Sequence, residues 1–185
     1  MERIALFGGM FDPVHNGHLY AAQCAIEALS LDRVIFIPAR VPPHKAGCHV
    51  AGEHRAKMLR LAIDGEARYA MSEYELLQQG ISYSYRTAEH FAAVYPAAKL
   101  YFLIGDEAYN LLHTWKNPER IRQVAEFAVV TRENTPPPED AVYVHVPAVD
   151  ISSTTVRRFL ADRKAIDQLV PKKVAAYIEN HRLYQ

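Results

Sequence analysis

The stretch Gly8-Gly9-Met10-Phe11-Asp12-Pro13-Val14-His15-Asn16-Gly17-His18 constrains the fold more than any other part of the chain. It follows a short apolar run, Ile4-Ala5-Leu6-Phe7, which has the length and composition of a buried strand. It leads into apolar residues at Leu19, Ala22, Ile26 and Leu29, which is helical spacing. The local expectation is therefore a strand, a glycine turn and a helix beginning near Gly17. A helix N-terminus presents unpaired N–H groups and the positive end of a dipole, which suits a phosphate. Glycines let the backbone approach such a ligand closely. His15 and His18 lie three apart, on one side of a first helical turn, and each can donate a hydrogen bond to a phosphate oxygen. Gly8-Gly9 alone would imply no more than a tight turn. Joined to Phe-Asp-Pro and His-x-Gly-His at the end of a first strand, it marks a nucleotide phosphate site.

Further along, Arg33 to Ile37 reads as a second buried strand ended by Pro38, and Val41 to Lys45 as an irregular loop. Glu53 to Asp64 is helical in pattern, Tyr69 to Ser72 a weak strand, Gly80 to Ser84 a turn, and Tyr85 to Val94 a helix. Lys99 to Ile104 is the clearest central strand; Gly105-Asp106-Glu107 breaks it and opens another helix. Phe127 to Thr131 and Val142 to Val146 complete the strands, with an exposed loop at Thr135 to Pro138 between them. Ser152-Ser153-Thr154 caps a helix carrying Val156, Phe159 and Leu160, and a last helix carries Val174, Tyr177 and Ile178. Strands alternate with helices, and the strands are continuous apolar runs. The expected class is α/β: a Rossmann-like, doubly wound parallel sheet with helices on both faces. Ligands of such sheets bind beyond the carboxyl ends of the strands. Gly8–His18, Pro42–Lys45, Gly105–Glu107 and Ile151–Arg157 all follow strand ends, so this fold gathers them on one edge.

With 185 residues and no internal repeat or linker, residues 1–185 are expected to form one domain with a substantial core. Lys plus Arg equals Asp plus Glu, 21 each, which argues against a general nucleic-acid or membrane-surface binder while permitting a local basic pocket. Cys24 and Cys48 make neither a disulfide framework nor a metal spacing. The N-terminus lacks a signal-peptide pattern and no apolar run approaches membrane-spanning length, so a soluble, cytoplasmic protein is expected. Self-association is left open by the sequence.

A second chemistry-bearing stretch is Ile151-Ser152-Ser153-Thr154-Thr155-Val156-Arg157. Hydroxyls at a helix start can bond phosphate, and Arg157, one turn further, supplies a forked cation. Trp115, the only tryptophan, can stack on a flat heterocycle or simply pack. No covalent nucleophile triad is evident; His49, His54, His90, His113, His145 and His181 read as surface or packing residues.

The Gly8–His18 stretch resembles the signature of the nucleotidyltransferase superfamily with the His-x-Gly-His motif. Within that superfamily the chain is most similar to the bacterial nicotinate-nucleotide adenylyltransferases. Ile151 to Arg157 matches the family's Ile-Ser-Ser-Thr-x-x-Arg motif, and Pro42-Pro43-His44-Lys45 matches one of its loops. The resemblance implies adenylyl transfer from ATP to a pyridine mononucleotide, nicotinate mononucleotide, giving nicotinate adenine dinucleotide and pyrophosphate in NAD biosynthesis, with magnesium carried on the ATP; the residues themselves offer no dedicated metal cage. It implies catalytic roles for His15, His18 and Arg157. ATP would meet Gly8, Gly9, Phe11, His15, Gly17 and His18, then Gly105, Asp106 and Glu107, then Ile151, Ser153, Thr154 and Arg157. The acceptor would meet Lys45, Ser82, Tyr83, Ser84, Trp115 and Arg132, with Trp115 stacked on the pyridine ring.

The chain departs from the family pattern at three places. Ser84 stands where threonine is usual and keeps the hydroxyl. Arg86 stands where aspartate is usual and reverses a charge. Asp106 comes one place early, with Glu107 in the family's aspartate position, so either acid is a candidate to face the adenosine. Rival readings are an adenylyltransferase for nicotinamide mononucleotide or phosphopantetheine, a nucleotide-binding sensor without turnover, and a fragment of an aminoacyl-tRNA ligase. His44-Lys45, Ser82-Tyr83 and Trp115 speak against phosphopantetheine. Intact His15, His18 and Arg157 speak against a sensor, and the short, neutral chain speaks against a tRNA surface.

Overall fold

A computed structural model describes residues 1–41, 48–131, 140–147 and 151–185. Its centre is a six-stranded sheet formed by β1 (Arg3–Gly9), β2 (Arg33–Pro38), β3 (Tyr69–Met71), β4 (Lys99–Gly105), β5 (Glu126–Thr131) and β6 (Val142–His145). The order across the sheet is β3-β2-β1-β4-β5-β6, and every neighbouring pair is parallel. Parallel strands need crossovers, and the crossovers cover both faces. That coverage explains the unbroken apolar runs. Ala5 on β1 and Tyr101 and Leu103 on β4 point to one side; Ile4 and Leu6, with Leu100, Phe102 and Ile104, point to the other.

The first side is covered by α1 (Asn16–Leu29), α2 (Gly52–Ile63), α7 (Ser153–Ala161) and α8 (Lys172–Asn180), which contribute Ala22, Met58, Val156 and Val174 to its core. The second side is covered by α4 (Ser84–Val94) and α6 (Pro118–Arg122), with Tyr85, Phe91 and Ile121, and by a 3-10 turn at Leu112–Thr114. The short helices α3 (Tyr74–Leu77) and α5 (Asp106–Asn110) pack on that side too, through Tyr74, Ala108 and Tyr109. Among the described residues no helix is long and apolar enough to cross a membrane.

The expected doubly wound sheet is thus present, and each expected strand and helix within the described residues has its counterpart. Gly105 differs in being the last residue of β4 as well as the cap of α5, and α4 begins at Ser84, one residue earlier than its apolar pattern predicts. α3 and α6 are additions. With 4 and 5 residues, neither spans enough of a 3.6-residue period to leave a pattern. The loops expected at Pro42–Lys45 and Thr135–Pro138 lie outside the described residues.

Candidate active site

The order of the sheet reverses between β1 and β4, and there the two strands part. The β1–β2 ladder runs on to Gly9 and Pro38, whereas the β1–β4 ladder ends at Phe7 and Leu103. A crevice opens beyond those residues, at the carboxyl ends of both strands. Gly8 and Gly9 border it. A Cβ on Gly9 would meet the Phe11 ring at 3.1 Å. A Cβ on Gly17 would meet the His15 ring at 3.0 Å and the Ile151 carbonyl at 3.3 Å. A side chain at Gly17 would crowd both, so glycine suits the first turn of α1 here.

Phe11 has φ 48°, a conformation that L side chains rarely adopt, and its ring is buried against Phe7, Phe36 and His18 at centroid distances of 5.6, 5.8 and 5.0 Å. That packing holds the turn. It also means that Phe11 faces the crevice through its backbone rather than its ring. His15 is buried, and the His15 and His18 rings stack 3.6 Å apart. The His15 amide donates to Nδ1 of His18 at 3.2 Å. A ring nitrogen that accepts carries no proton, so neutral His18 carries its proton on Nε2. The start of α1 is fastened by the Asn16 amide donating to the Leu169 carbonyl at 2.8 Å.

The Ile151–Arg157 stretch closes against the same turn. Ser152 is the N-cap of α7, its hydroxyl accepting from the Thr155 amide at 3.0 Å. The Ser153 hydroxyl donates to the Pro13 carbonyl at 2.9 Å. Arg157 donates from Nη1 to the Asp12 carbonyl at 2.6 Å and from Nη2 to the Thr154 hydroxyl at 3.2 Å. His15, His18, Ser153, Thr154 and Arg157 are therefore assembled around one turn. An open cleft of about 600 Å³ beside α7 is lined by His49, Thr154, Arg157, Arg158, Ala161, Tyr184 and Gln185.

Beneath the turn lie Asp12 and Arg55, which are not among the expected site residues. Asp12 is 1% exposed. Its Oδ2 accepts from the His49 amide at 2.7 Å and lies 3.1 Å from His49 Nδ1, and its Oδ1 accepts from the Tyr184 hydroxyl at 2.8 Å. Arg55, equally buried, donates to the Met10 carbonyl at 2.7 Å and the Val50 carbonyl at 3.3 Å. Asp12 stood inside the motif, so its place was visible; its partners, 37 and 172 residues away, carried no local signal.

The residues expected to meet the acceptor lie on the second side of the sheet. Ser82 is buried, and its amide donates to the Val41 carbonyl at 3.0 Å, tying this turn to the end of β2. Its hydroxyl accepts from the Arg40 amide at 3.1 Å and bonds the buried carboxyl of Glu75, which also accepts from Thr87 at 2.6 Å. Burial pushes the Glu75 carboxyl up, against the lowering effect of those two hydrogen bonds. The Ser82 hydroxyl is thus engaged internally. Tyr83 and Ser84 stand at the start of α4, where the first amides precede any intrahelical bond.

The Lys116 ammonium lies 4.7 Å from the Tyr83 ring centre. Arg86, the residue of reversed charge, bonds the Tyr85 hydroxyl at 3.2 Å and lies over the Tyr83 and Tyr85 rings at 5.7 and 5.9 Å. The half-buried Trp115 meets Phe102 edge-on at 6.3 Å. The tip of the Phe102 ring is in turn 3.9 Å from where a Gly8 Cβ would sit. One ring thereby separates Trp115 from the phosphate turn. At the end of β4, Asp106 Oδ1 accepts from the Glu107 amide at 2.8 Å, while Glu107 is exposed. Lys45 and Arg132 lie outside the described residues.

The chain matches the cytidylyltransferase-like family model over residues 6–159. It is 42% identical to a Thermus thermophilus protein and 36% identical to a Clostridium novyi protein, both named "Probable nicotinate-nucleotide adenylyltransferase". Those matches cover 99% and 100% of this chain and all of each relative. Among solved structures, Plasmodium falciparum nicotinic acid mononucleotide adenylyltransferase complexed with NaAD superposes with a TM-score of 0.79 at 18% identity, covering 100% of this chain and 98% of that one. This last likeness is one of fold.

Proposed function

The chain belongs to the nicotinate-nucleotide adenylyltransferase family of cytidylyltransferase-like proteins, and from that premise we propose how its own residues carry out the reaction. ATP and nicotinate mononucleotide give nicotinate adenine dinucleotide and pyrophosphate, a step of NAD biosynthesis. The convergence of His15, His18 and Arg157 on the Asp12-Pro13 turn, where β1 and β4 part, carries the assignment of roles.

A 5′-phosphate oxygen of the mononucleotide attacks the α-phosphorus of ATP. One P–O bond forms, the bond to the β-phosphate bridging oxygen breaks, and its electron pair leaves with pyrophosphate. The nucleophile is already an anion, so the protein needs no strong base. What it supplies is position and positive potential. His18, with its proton on Nε2, donates to phosphate oxygen as charge develops there. His15, stacked behind it, limits the ring to one orientation. Arg157 and the Thr154 hydroxyl hold the outgoing phosphates at the start of α7, whose amides and dipole favour anions. Ser153 is tied to Pro13 and contributes mainly by keeping α7 against the turn. Gly9 and Gly17 let the turn lie close against the Phe11 and His15 rings, which a Cβ would crowd.

Magnesium is assigned to the nucleotide rather than to a protein cage. Among the described residues no group of three His, Cys, Asp or Glu converges on a metal position, and the carboxylate of Asp12 is occupied by His49 and Tyr184. Cations and hydroxyls facing the crevice fit an ion that arrives on its own phosphates, where it would neutralise charge as pyrophosphate leaves. Tyr83, Ser84 and Trp115, with Lys45 and Arg132, form the acceptor side, and Ser82 fixes their turn through Arg40, Val41 and Glu75; residues 1–185 act as one domain, in the cytoplasm.

The purified protein with ATP, magnesium and each of nicotinate mononucleotide, nicotinamide mononucleotide and phosphopantetheine tests this reading. Pyrophosphate release and a dinucleotide product are expected chiefly with the first. Release only with phosphopantetheine, or none with any acceptor, overturns it.

A further inference from the structure

We propose that Asp12, held by Tyr184 and His49, is a positioning residue that sets Arg157 for the ATP phosphates. Asp12 works at both ends. Its carboxylate takes Tyr184 on one oxygen and His49 on the other, and its main-chain carbonyl takes the Arg157 guanidinium. Turning the peptide would move the acceptor that fixes Arg157, so whatever holds the carboxylate also holds the arginine.

Tyr184 reaches Asp12 because of the way α8 ends. Arg182 follows the C-cap His181 with φ 49°, and its amide donates to the Glu179 carbonyl at 3.1 Å. The Leu183 amide donates to the Ile178 carbonyl at 3.0 Å, and both side chains are buried in the same core. This pairing of hydrogen bonds with an apolar contact is the Schellman ending of a helix, and it turns the chain back toward the sheet. Tyr184, itself at φ 64°, is thereby brought against Asp12. Burial, with the Asp12 carboxylate second, pushes the Tyr184 phenol up, so its hydroxyl remains a proton donor.

Two features limit the effect to the ATP side. Tyr184 and His49 line the same cleft as Thr154 and Arg157, and no residue of the acceptor side lines it. Asp12 is 1% exposed, so removing a donor leaves a buried carboxylate short of a partner.

The proposal rests on the reading that ATP phosphates meet Arg157. Its test is Tyr184→Phe, which removes only the hydroxyl, in the full-length protein. ATP is titrated in the absence of acceptor, and KM is then measured for each substrate. We expect ATP affinity to fall about fivefold, the net scale of one ordinary hydrogen bond, because the lost bond acts on ATP only through Arg157, with acceptor KM within twofold. In an Arg157→Ala background Tyr184→Phe should cost no further ATP affinity, because its route of action is gone. Unchanged ATP affinity, equal losses for both substrates, or full additivity with Arg157→Ala overturns the proposal. Should Tyr184→Phe not fold, His49→Ala at a side chain 55% exposed removes the other side-chain donor; it should show the same ATP-selective loss, and wild-type affinity there overturns the proposal too. A wild-type protein that binds ATP yet transfers nothing to nicotinate mononucleotide would sink the proposed function while leaving this comparison readable.

Discussion

The two halves of the crevice are built differently. On the phosphate side, side chains distant in sequence are drawn onto one turn: Ser153 to Pro13, Arg157 to Asp12 and Tyr184 to Asp12 span 140, 145 and 172 residues. On the acceptor side most elements are short and the spans are shorter, 42 positions from Ser82 to Arg40, 12 from Thr87 to Glu75 and one from Arg86 to Tyr85. The first half is a fixed cradle made by tertiary structure. The second is a set of rings and helix starts mounted on it, joined through Phe102. The difference matches the chemistry. A triphosphate must be aligned to within a fraction of an ångström for in-line displacement, whereas a flat ring needs a surface and a few donors.

That contrast predicts kinetic signatures that separate the two halves. The largest effect is expected at His18. His18→Ala should lower kcat about a hundredfold, or ~3 kcal/mol, with KM values changed far less, because the contact strengthens as charge moves to phosphate oxygen. A folded variant with near-normal turnover would remove His18 from the reaction. Arg157→Ala comes next. It should raise KM for ATP about tenfold, the scale of a hydrogen bond to a charged group, and KM for the acceptor much less. Loss confined to the acceptor would place Arg157 on the wrong half.

On the other half, Trp115→Ala should raise KM about five- to tenfold for nicotinate and nicotinamide mononucleotides alike, leaving their ratio within about twofold. Both pyridine rings stack equally, so the tryptophan cannot discriminate. On the proposed reading, discrimination would fall to amide donors at Tyr83 and Ser84, at the start of α4, which suit a carboxylate better than a carboxamide. The carboxamide directs its own NH₂ at a donor and leaves a buried group unpaired, at a cost of about 1–3 kcal/mol. A ratio that collapses in Trp115→Ala would show that the ring, not the helix start, reads the acid.

These differences also explain what could be read from the residues. The strand-glycine-helix unit was legible because apolar period, glycine and histidine signals fall within one short stretch. The Ser-Ser-Thr helix start was legible for the same reason, and so was the doubly wound sheet, from its unbroken apolar strands. Asp12 could be seen but not understood, since its meaning lies in Tyr184 and His49. Ser82 looked like a ligand contact, yet its hydroxyl is held by Arg40 and Glu75, partners that lie 42 and 7 positions back along the chain. Arg86 reverses a charge of the family pattern; lying over two tyrosine rings, its guanidinium has a use the sequence did not show. α3 and α6 left no period to read.

The smallest expected effect tests how the acceptor turn is held. Glu75 is 7% exposed, and its carboxyl accepts from Thr87 and from Ser82. Those bonds favour the charged form, but burial opposes it more strongly, so the carboxyl is raised. A raised folded pKa means that the native protein holds this proton more tightly than the unfolded chain does. The stability it contributes is fully present below the ordinary glutamate range of ~4.3 and is lost as pH rises through the folded value. Glu75→Gln keeps the shape and an accepting oxygen but cannot ionise. The variant should therefore melt higher than wild type at neutral and mildly alkaline pH, and this advantage should shrink as the solution is acidified. Acceptor KM should stay within about twofold, since the amide oxygen can still take the Ser82 hydroxyl. Thermal melts of both proteins across a pH series read the sign directly. An advantage that does not vary with pH would mean that charge burial is not its cause. A variant that melts lower at neutral pH would mean that the two hydrogen bonds outweigh burial after all, making Glu75 an ionised anchor of the acceptor turn.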